Sequence, residues 1–377
     1  VATQVASLFG VLSLRDDDFQ RGMRNAEQQS KSFGERISDT GRSVRNFGAG
    51  MTLATAPLAG FFATGLNVAG NFQATFTEIS ARTGVMGADL DMLKEKALQW
   101  GADTVFSGQQ AADAFLQLLT TGMSVTDSIT TMEAVLTAAA ASGLDLGTSA
   151  DRLTNILAGM GLEVSASTDI IDKLGRASGV VAGGMGPLME AMEASGPIAA
   201  QYKMDYEELI PILAIWSDAG LRGAETGNAL KSMLRTMRYD TKSTQDAWKA
   251  LNTTMYDAQG VMRPMDDILD DIRRGLATMT DEQQAGVITD LAGAFGATGL
   301  NILLASDGIG AMNARMMQAT SAADIAEAQM GTWKMTVESL KGSVEALQIT
   351  ALTPLMEDVL QPMVEDLIEV VNSVRDW

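Results

Sequence analysis

The chain has 377 residues, 46% hydrophobic and only 5% aromatic, with 24 Met and 37 Gly, which is ample core material made mostly of small or flexible side chains. Its 27 basic and 47 acidic residues leave a net charge of −20, the opposite of the footprint that holds nucleic acid. It contains no Cys and no His, which excludes disulfides, thiolate chemistry, a Ser-His-Asp triad and nearly every zinc site.

The pattern predicts a mainly α protein. Its expected architecture is a multi-helix bundle core with a short N-terminal strand, a small hairpin near 255–263 and long, coiled-coil-like C-terminal helices. Five regions are expected: 1–50, an N-terminal strand and helical arm; 51–85, an apolar, charge-poor helical segment; 86–240, a helical core; 241–330, a hairpin plus helices; and 331–377, heptad-patterned helices. The first residue is Val, consistent with a processed chain or a segment of a longer one. No signal-peptide pattern opens it.

The run Val5 to Leu14 has alternating, β-branched character and reads as the strand. Asp16 to Asp18 then signal a polar helix through Phe19, Met23, Ala26 and Phe33. Its thin apolar seam fits either an arm leaning on a partner or a helix exposed to solvent. No charged residue falls between Arg45 and Glu78. Met51, Leu53, Leu58, Phe61, Phe62, Leu66 and Val68 make this stretch a possible membrane segment, since a span needs about 20 apolar residues. Thr, Asn67, Pro57 and three glycines dilute it, so a transmembrane helix, a buried or interfacial helical hairpin and conditional insertion all stay open.

From Asp89 onward a succession of helices is expected. Ser107 with Gln110 and Thr280 with Gln283 form capping boxes, and Asp205 with Glu208 a looser one. Glycines 122, 143, 161, 220 and 223 stand where helices should stop. In the helix over Arg222–Arg238, Leu230, Met233, Leu234 and Met237 share one face and Lys231, Arg235 and Arg238 another. The basic face reads as solvated surface. Asp257-Ala-Gln-Gly260 marks the turn of the hairpin, and Asp266 to Asp271 place negative charge at a helix start. Near the end, Trp333, Val337, Leu340, Val344 and Leu347 step by four and three, and Met356, Leu360, Met363 and Leu367 repeat the spacing in a shifted frame. Pro354 marks the break, with Thr353 as N-cap. Each run is shorter than a coiled coil requires, so these stripes fit packing on a partner subunit or on the chain's own core. No internal repeat of 20–50 residues is visible.

Chemistry is absent from the patterns. No phosphate loop, zinc-protease helix or EF-hand occurs. The glycine-dense stretch Gly179 to Gly186 lacks dinucleotide-binding spacing and reads as a helix-to-helix loop. Paired acids are expected by chance at this charge. No cofactor, no metal and no enzymatic activity are expected.

Several pieces in order resemble the core region of phage tail tape measure proteins. Thr104, Phe106 and Ser107 with Gly122 are similar to a first signature, and the alanine block 138–141 with Leu146, Ala150 and Gly161 to a second. Gly220, Gly223, Gly227, Leu230 and Leu234 are similar to the third. Asp257, Gly260, Ile268 and Phe295-Gly296 also fit, as does the entry from Leu8 to Ala26. The resemblance implies a structural tail protein that determines tail length, scaffolds tube assembly and assists genome ejection through the host envelope. It further implies several copies (a trimer or hexamer), contacts with tail tube and tail-tip proteins, and a place in the tail lumen or tip of the virion. After ejection the implied location is the host cell envelope and membrane, with DNA passing but not specifically bound. An α-helical, pore-forming membrane-active protein is the alternative.

Overall fold

A computed structural model describes residues 56–238 and 241–362. Among them the chain is mainly helical and contains no strand. The expected N-terminal strand and the helix after Asp18 lie outside the described residues. The chain divides into two compact units, one of residues 1–113 and 337–377, the other Ala114–Thr336.

In the first unit, α1 (Ala56–Thr83), α2 (Ala88–Asp103), the start of α3 (Gly108–Thr120) and α15 (Trp333–Leu355) come together. Helix α1 is one continuous 28-residue helix, which corrects the hairpin reading of 51–70: Gly60, Gly65 and Gly70 are accommodated within it. Its Ala69, Phe72, Phe76 and Ile79 recur at i, i+3, i+7 and i+10 and are buried. The Phe72 and Phe76 rings lie 4.8 Å apart. Helix α15 approaches through Gly342, where a Cβ would stand 2.7 Å from the Gly101 carbonyl oxygen and 3.0 Å from that of Phe106. The expected break at Pro354 is also corrected. The α-helix runs to Leu355 and continues as a π-helical turn over Met356–Leu360, and Thr353 donates its hydroxyl back to the Ile349 carbonyl instead of capping. Proline lacks an amide donor and crowds the preceding turn, yet the helix continues through Pro354 here.

In the second unit, α4 (Val125–Ser142) pairs with α5 (Leu146–Met160) and α6 (Ser167–Val180) with α7 (Met185–Gln201), and the two pairs stack; α8 (Tyr206–Asp218) extends the stack on α6 and α7, and α9 (Ala224–Met237) extends it on α7. Helices α5, α7 and α9 start at Leu146, Met185 and Ala224, an even step of about 39 residues, within the range of helical solenoids. Helices α5 and α7 run parallel in register, as Arg152–Glu190 (3.5 Å) and Asn155–Glu193 (2.7 Å) show. The stack is a structural repeat without a sequence repeat, because its spacing is carried by turns and helix lengths. Side-chain oxygens of Ser124, Asp145 and Asp205 cap α4, α5 and α8, and Gly143 and Gly161 close α4 and α5 in the left-handed conformation. Gly223 is corrected from a stop to a start: it is the N-cap of α9.

The remaining helices of this unit wrap the stack. Helix α10 (Lys242–Ala250) and α11 (Met265–Leu276) lead into α12 (Asp281–Ala305), which packs on α9. Helix α13 (Ile309–Met317) lies on α6 and α8, and α14 (Ala322–Met330) on α4 and α6. Polar clamps fix this order. Arg273 donates to the carbonyls of Leu303 (2.7 Å), Leu304 (3.0 Å) and Ser306 (3.2 Å) at the end of α12, where a cation also meets the negative end of the dipole. Asp266 accepts from the amides of Ile309 and Gly310 at the start of α13, and Asp172 from that of Ala322 at the start of α14. The hairpin near 255–263 is reduced to one antiparallel bridge, Tyr256–Met262. Asp257 ties it by accepting from the amides of Gln259 and Val261, both at 2.9 Å. The two arms have no neighbouring strand to extend the ladder.

Two glycine contacts set the helix spacing, and they are testable. A Cβ at Gly227 would lie 2.9 Å from the Ala194 backbone, and one at Gly296 2.7 Å from the Met233 amide nitrogen. Gly227→Ala and Gly296→Ala are each expected to destabilise by about 1–3 kcal/mol, read as a lower urea midpoint. Gly286→Ala, in the same helix as Gly296 but with open space around it, is expected to stabilise by about 0.5–1 kcal/mol.

Candidate functional site

The heptad-like stripe of α15 is the first candidate, and the structure gives this helix two faces. Ala346, Ile349 and Leu352 are buried in the first unit. The predicted stripe lies on another face: Leu340 is 42% and Val344 41% exposed, Val337 and Leu347 are half-buried, and Met356 and Leu360 beyond Pro354 are half-buried too. The Trp333 side chain, Met363 and Leu367 lie outside the described residues. What holds the helix is therefore not the predicted stripe. It is the glycine contact at Gly342 together with Glu345, whose carboxylate accepts from the Gln109 amide at 3.0 Å in the first turn of α3.

The signature residues build the fold. Thr104 closes α2, donating its hydroxyl to the Trp100 carbonyl at 2.6 Å and accepting from the Phe106 amide at 3.2 Å. Phe106 is buried. Ser107 and Gln110 form the expected reciprocal cap, at 3.2 and 2.8 Å. Gly122 and Gly220 adopt left-handed turns after α3 and α8. Gly227, Leu230 and Leu234 lie on the buried side of α9, each leucine contributing about 1.5–3 kcal/mol by burial. Thr104, Phe106 and Ser107 thus serve the first unit and the later group the second. None converges on a cavity suited to a reaction, and no cluster of His, Cys, Asp or Glu able to hold a metal occurs among the described residues.

Of the possible membrane segment, Met51 and Leu53 lie outside the described residues. Leu58, Phe61 and Phe62 fall in α1 at positions whose side chains are not described, and Leu66 and Val68 are half-buried. Among the described residues one helix is long and apolar enough to cross a membrane, and it is α12, not α1. Gly293 breaks α12 with φ 67° and ψ 170°. Leu291, Ala292, Gly296, Gly299, Leu300 and Leu303 are buried within the unit, and the Trp216 indole donates to the Gly299 carbonyl at 2.8 Å, so one face of α12 packs inside the unit.

Charge is used for joints. Asp271 lies between Arg263 and Thr253, both at 2.7 Å. The Thr253 hydrogen bond and then the Arg263 guanidinium hold its carboxyl below the ordinary carboxylate range, against an opposing effect of burial. Glu208 behaves the other way. Burial raises its pKa although it accepts from the Met265 amide, and Asp205, Asp266 and Asp267 add to the rise. Sequence reasoning missed Glu345, Arg273 and Glu208 as joints because each acts on a helix end remote in sequence. The Gly293/Gly296/Gly299 spacing was the one local signal of the α12 crossing.

The model of the family described as phage-related minor tail protein matches residues 94–293. The chain is 27% identical over 360 residues to the tape measure protein of Pneumococcus phage Dp-1, an alignment covering 94% of this chain and 30% of that protein. It is 22% identical over 369 residues to a protein of Escherichia phage P2 named "Probable tape measure protein", covering 95% of this chain and 44% of that one. The chain thus spans less than half the length of these relatives. No solved structure matches it.

Leu340→Ser with Val344→Ser is expected to change folding stability by no more than about 0.5 kcal/mol, whereas Ile349→Ala or Leu352→Ala should cost about 2–5 kcal/mol in chemical denaturation. Asp271→Asn should cost about 1–3 kcal/mol at pH 7. Since the folded carboxyl has the lower pKa, its contribution is complete above the ordinary value of 3.8 and fades as pH falls through the folded value. Urea midpoints of parent and variant should therefore converge in acid.

Proposed function

Because the chain belongs to the phage-related minor tail protein family, we propose that it is a segment of a tail tape measure protein, a structural component of a phage tail. The observation that carries this reading is similarity along nearly the whole chain to two proteins bearing that name. Further support comes from its make-up of packed helices, caps and turns, with residues committed to holding helix ends rather than to chemistry.

A chain of this length would reach about 570 Å if wholly helical. The longest described helix has 28 residues, and the helices fold back on one another within each unit. We assign the extended, length-setting portion to other parts of the longer protein and read this segment as its folded core. Several copies, three or six, are arranged together and contact tail tube and tail-tip proteins in the lumen or tip. During ejection the chain leaves the tube and assists passage of the genome through the host envelope. A net charge of −20 repels DNA phosphates and so lets DNA pass without being held.

The test is the number of copies per purified particle, measured by quantitative mass spectrometry against the major tube protein. A fixed three or six in every preparation is expected. Absence from particles, or a variable number, would overturn the reading and favour an assembly factor or a free membrane-active protein.

A further inference from the structure

The turn between α12 and α13 brings a reactive dipeptide between two clamps. Asp307-Gly308 is the one Asp-Gly pair of the chain, which has no Asn-Gly pair. Asp307 is exposed, and its carboxylate takes part in no hydrogen bond or ion pair among the described residues. It lines an open cleft of about 390 Å³ together with Asp218, Ala219 and Arg315. Gly308, at φ 98°, carries no Cβ to shield its amide nitrogen. That amide belongs to the N-cap of α13, outside the helical ladder. It donates to the Ser306 hydroxyl at 3.3 Å, a long bond that holds it weakly.

An aspartyl side chain so placed can close on the residue that follows it. The Gly308 nitrogen attacks Cγ of the protonated Asp307 carboxyl. The N–Cγ bond forms, the Cγ–OH bond breaks, and the hydroxyl leaves with the amide proton as water. A water molecule then reopens the five-membered imide. Attack at Cγ restores aspartate. Attack at the main-chain carbonyl leaves isoaspartate, in which the chain runs through Cβ and Cγ and is one methylene longer. Helix α11 holds the chain on both sides of this point. Its Arg273 grips the carbonyls of Leu303, Leu304 and Ser306, and its Asp266 the amides of Ile309 and Gly310. An added backbone atom between these grips must displace one of them. Asp266 makes the fewer bonds, and beyond it lies the nine-residue α13, seated through Ile309, Met312 and Met316, so the displacement falls on α13.

We propose that Asp307 is a self-modification site: it converts to isoaspartate in the folded chain, and the conversion loosens α13 from α6 and α8. The inference is independent of the tail reading. The whole chain and Asp307→Glu, which would have to close a six-membered ring, are aged side by side in mildly acidic buffer at body temperature, folded and in urea. Isoaspartate is then located in digests by enzymatic methylation with a labelled methyl donor. The folded parent is expected to carry roughly tenfold more label in the peptide containing position 307 than in any other peptide, and the variant none there. Hydrogen exchange over 309–317 should be roughly threefold faster or more in the aged parent than in the aged variant. Label at 307 in urea but not in the folded chain would overturn the proposal, since the fold would then protect the pair. Label in the folded chain with unchanged exchange over 309–317 would overturn the loosening of α13.

Discussion

Close approach of helices through glycine is the constraint on which this structure depends. With 5% aromatic residues the core gains little from large rings, so burial must come from many small contacts made at short range. Gly227 against Ala194, Gly296 against Met233 and Gly342 against Gly101 bring backbones nearer than any side chain would permit. Around these points Leu230, Met233 and Leu234 become fully buried. The larger rings are used sparingly and are anchored by polar atoms, as with the Trp216 and Trp248 indoles, which donate to the carbonyls of Gly299 and Met237.

Much of this was legible from local signals. Caps at Ser107, Asp205 and Thr280 formed as their spacing predicted, the Thr280–Gln283 box in full, because capping depends only on residues three apart. The apolar face of α9 followed from periodicity alone. The misreadings share a physical origin. Proline disfavours a helix interior on local rules, yet the helix runs through Pro354 to Leu355. Gly223 was placed on the wrong side of a helix boundary because glycine serves both ends. On α15 the face buried within the first unit is the one carrying Gly342 and Ile349, which leaves Leu340 and Val344 of the patterned stripe exposed.

The even stacking of α4 to α9 was invisible for a related reason. Equivalent positions in successive layers need only comparable helix lengths and turns, so Arg152 and Asn155 find Glu190 and Glu193 without any residue identity recurring. Likewise no function-bearing constellation could be read, because the functional information is the order of caps, crossings and turns along the chain. That explains why a family resemblance was informative where motif chemistry was silent.

The way the later helices close over the stack gives the second unit a mechanical direction. Helix α12 fastens one end at α9, α14 fastens the other at α4, and α13 lies between them on α6 and α8. A pull at Thr336 therefore meets the short helices α14 and α13 first and reaches the extensive α12–α9 contact last.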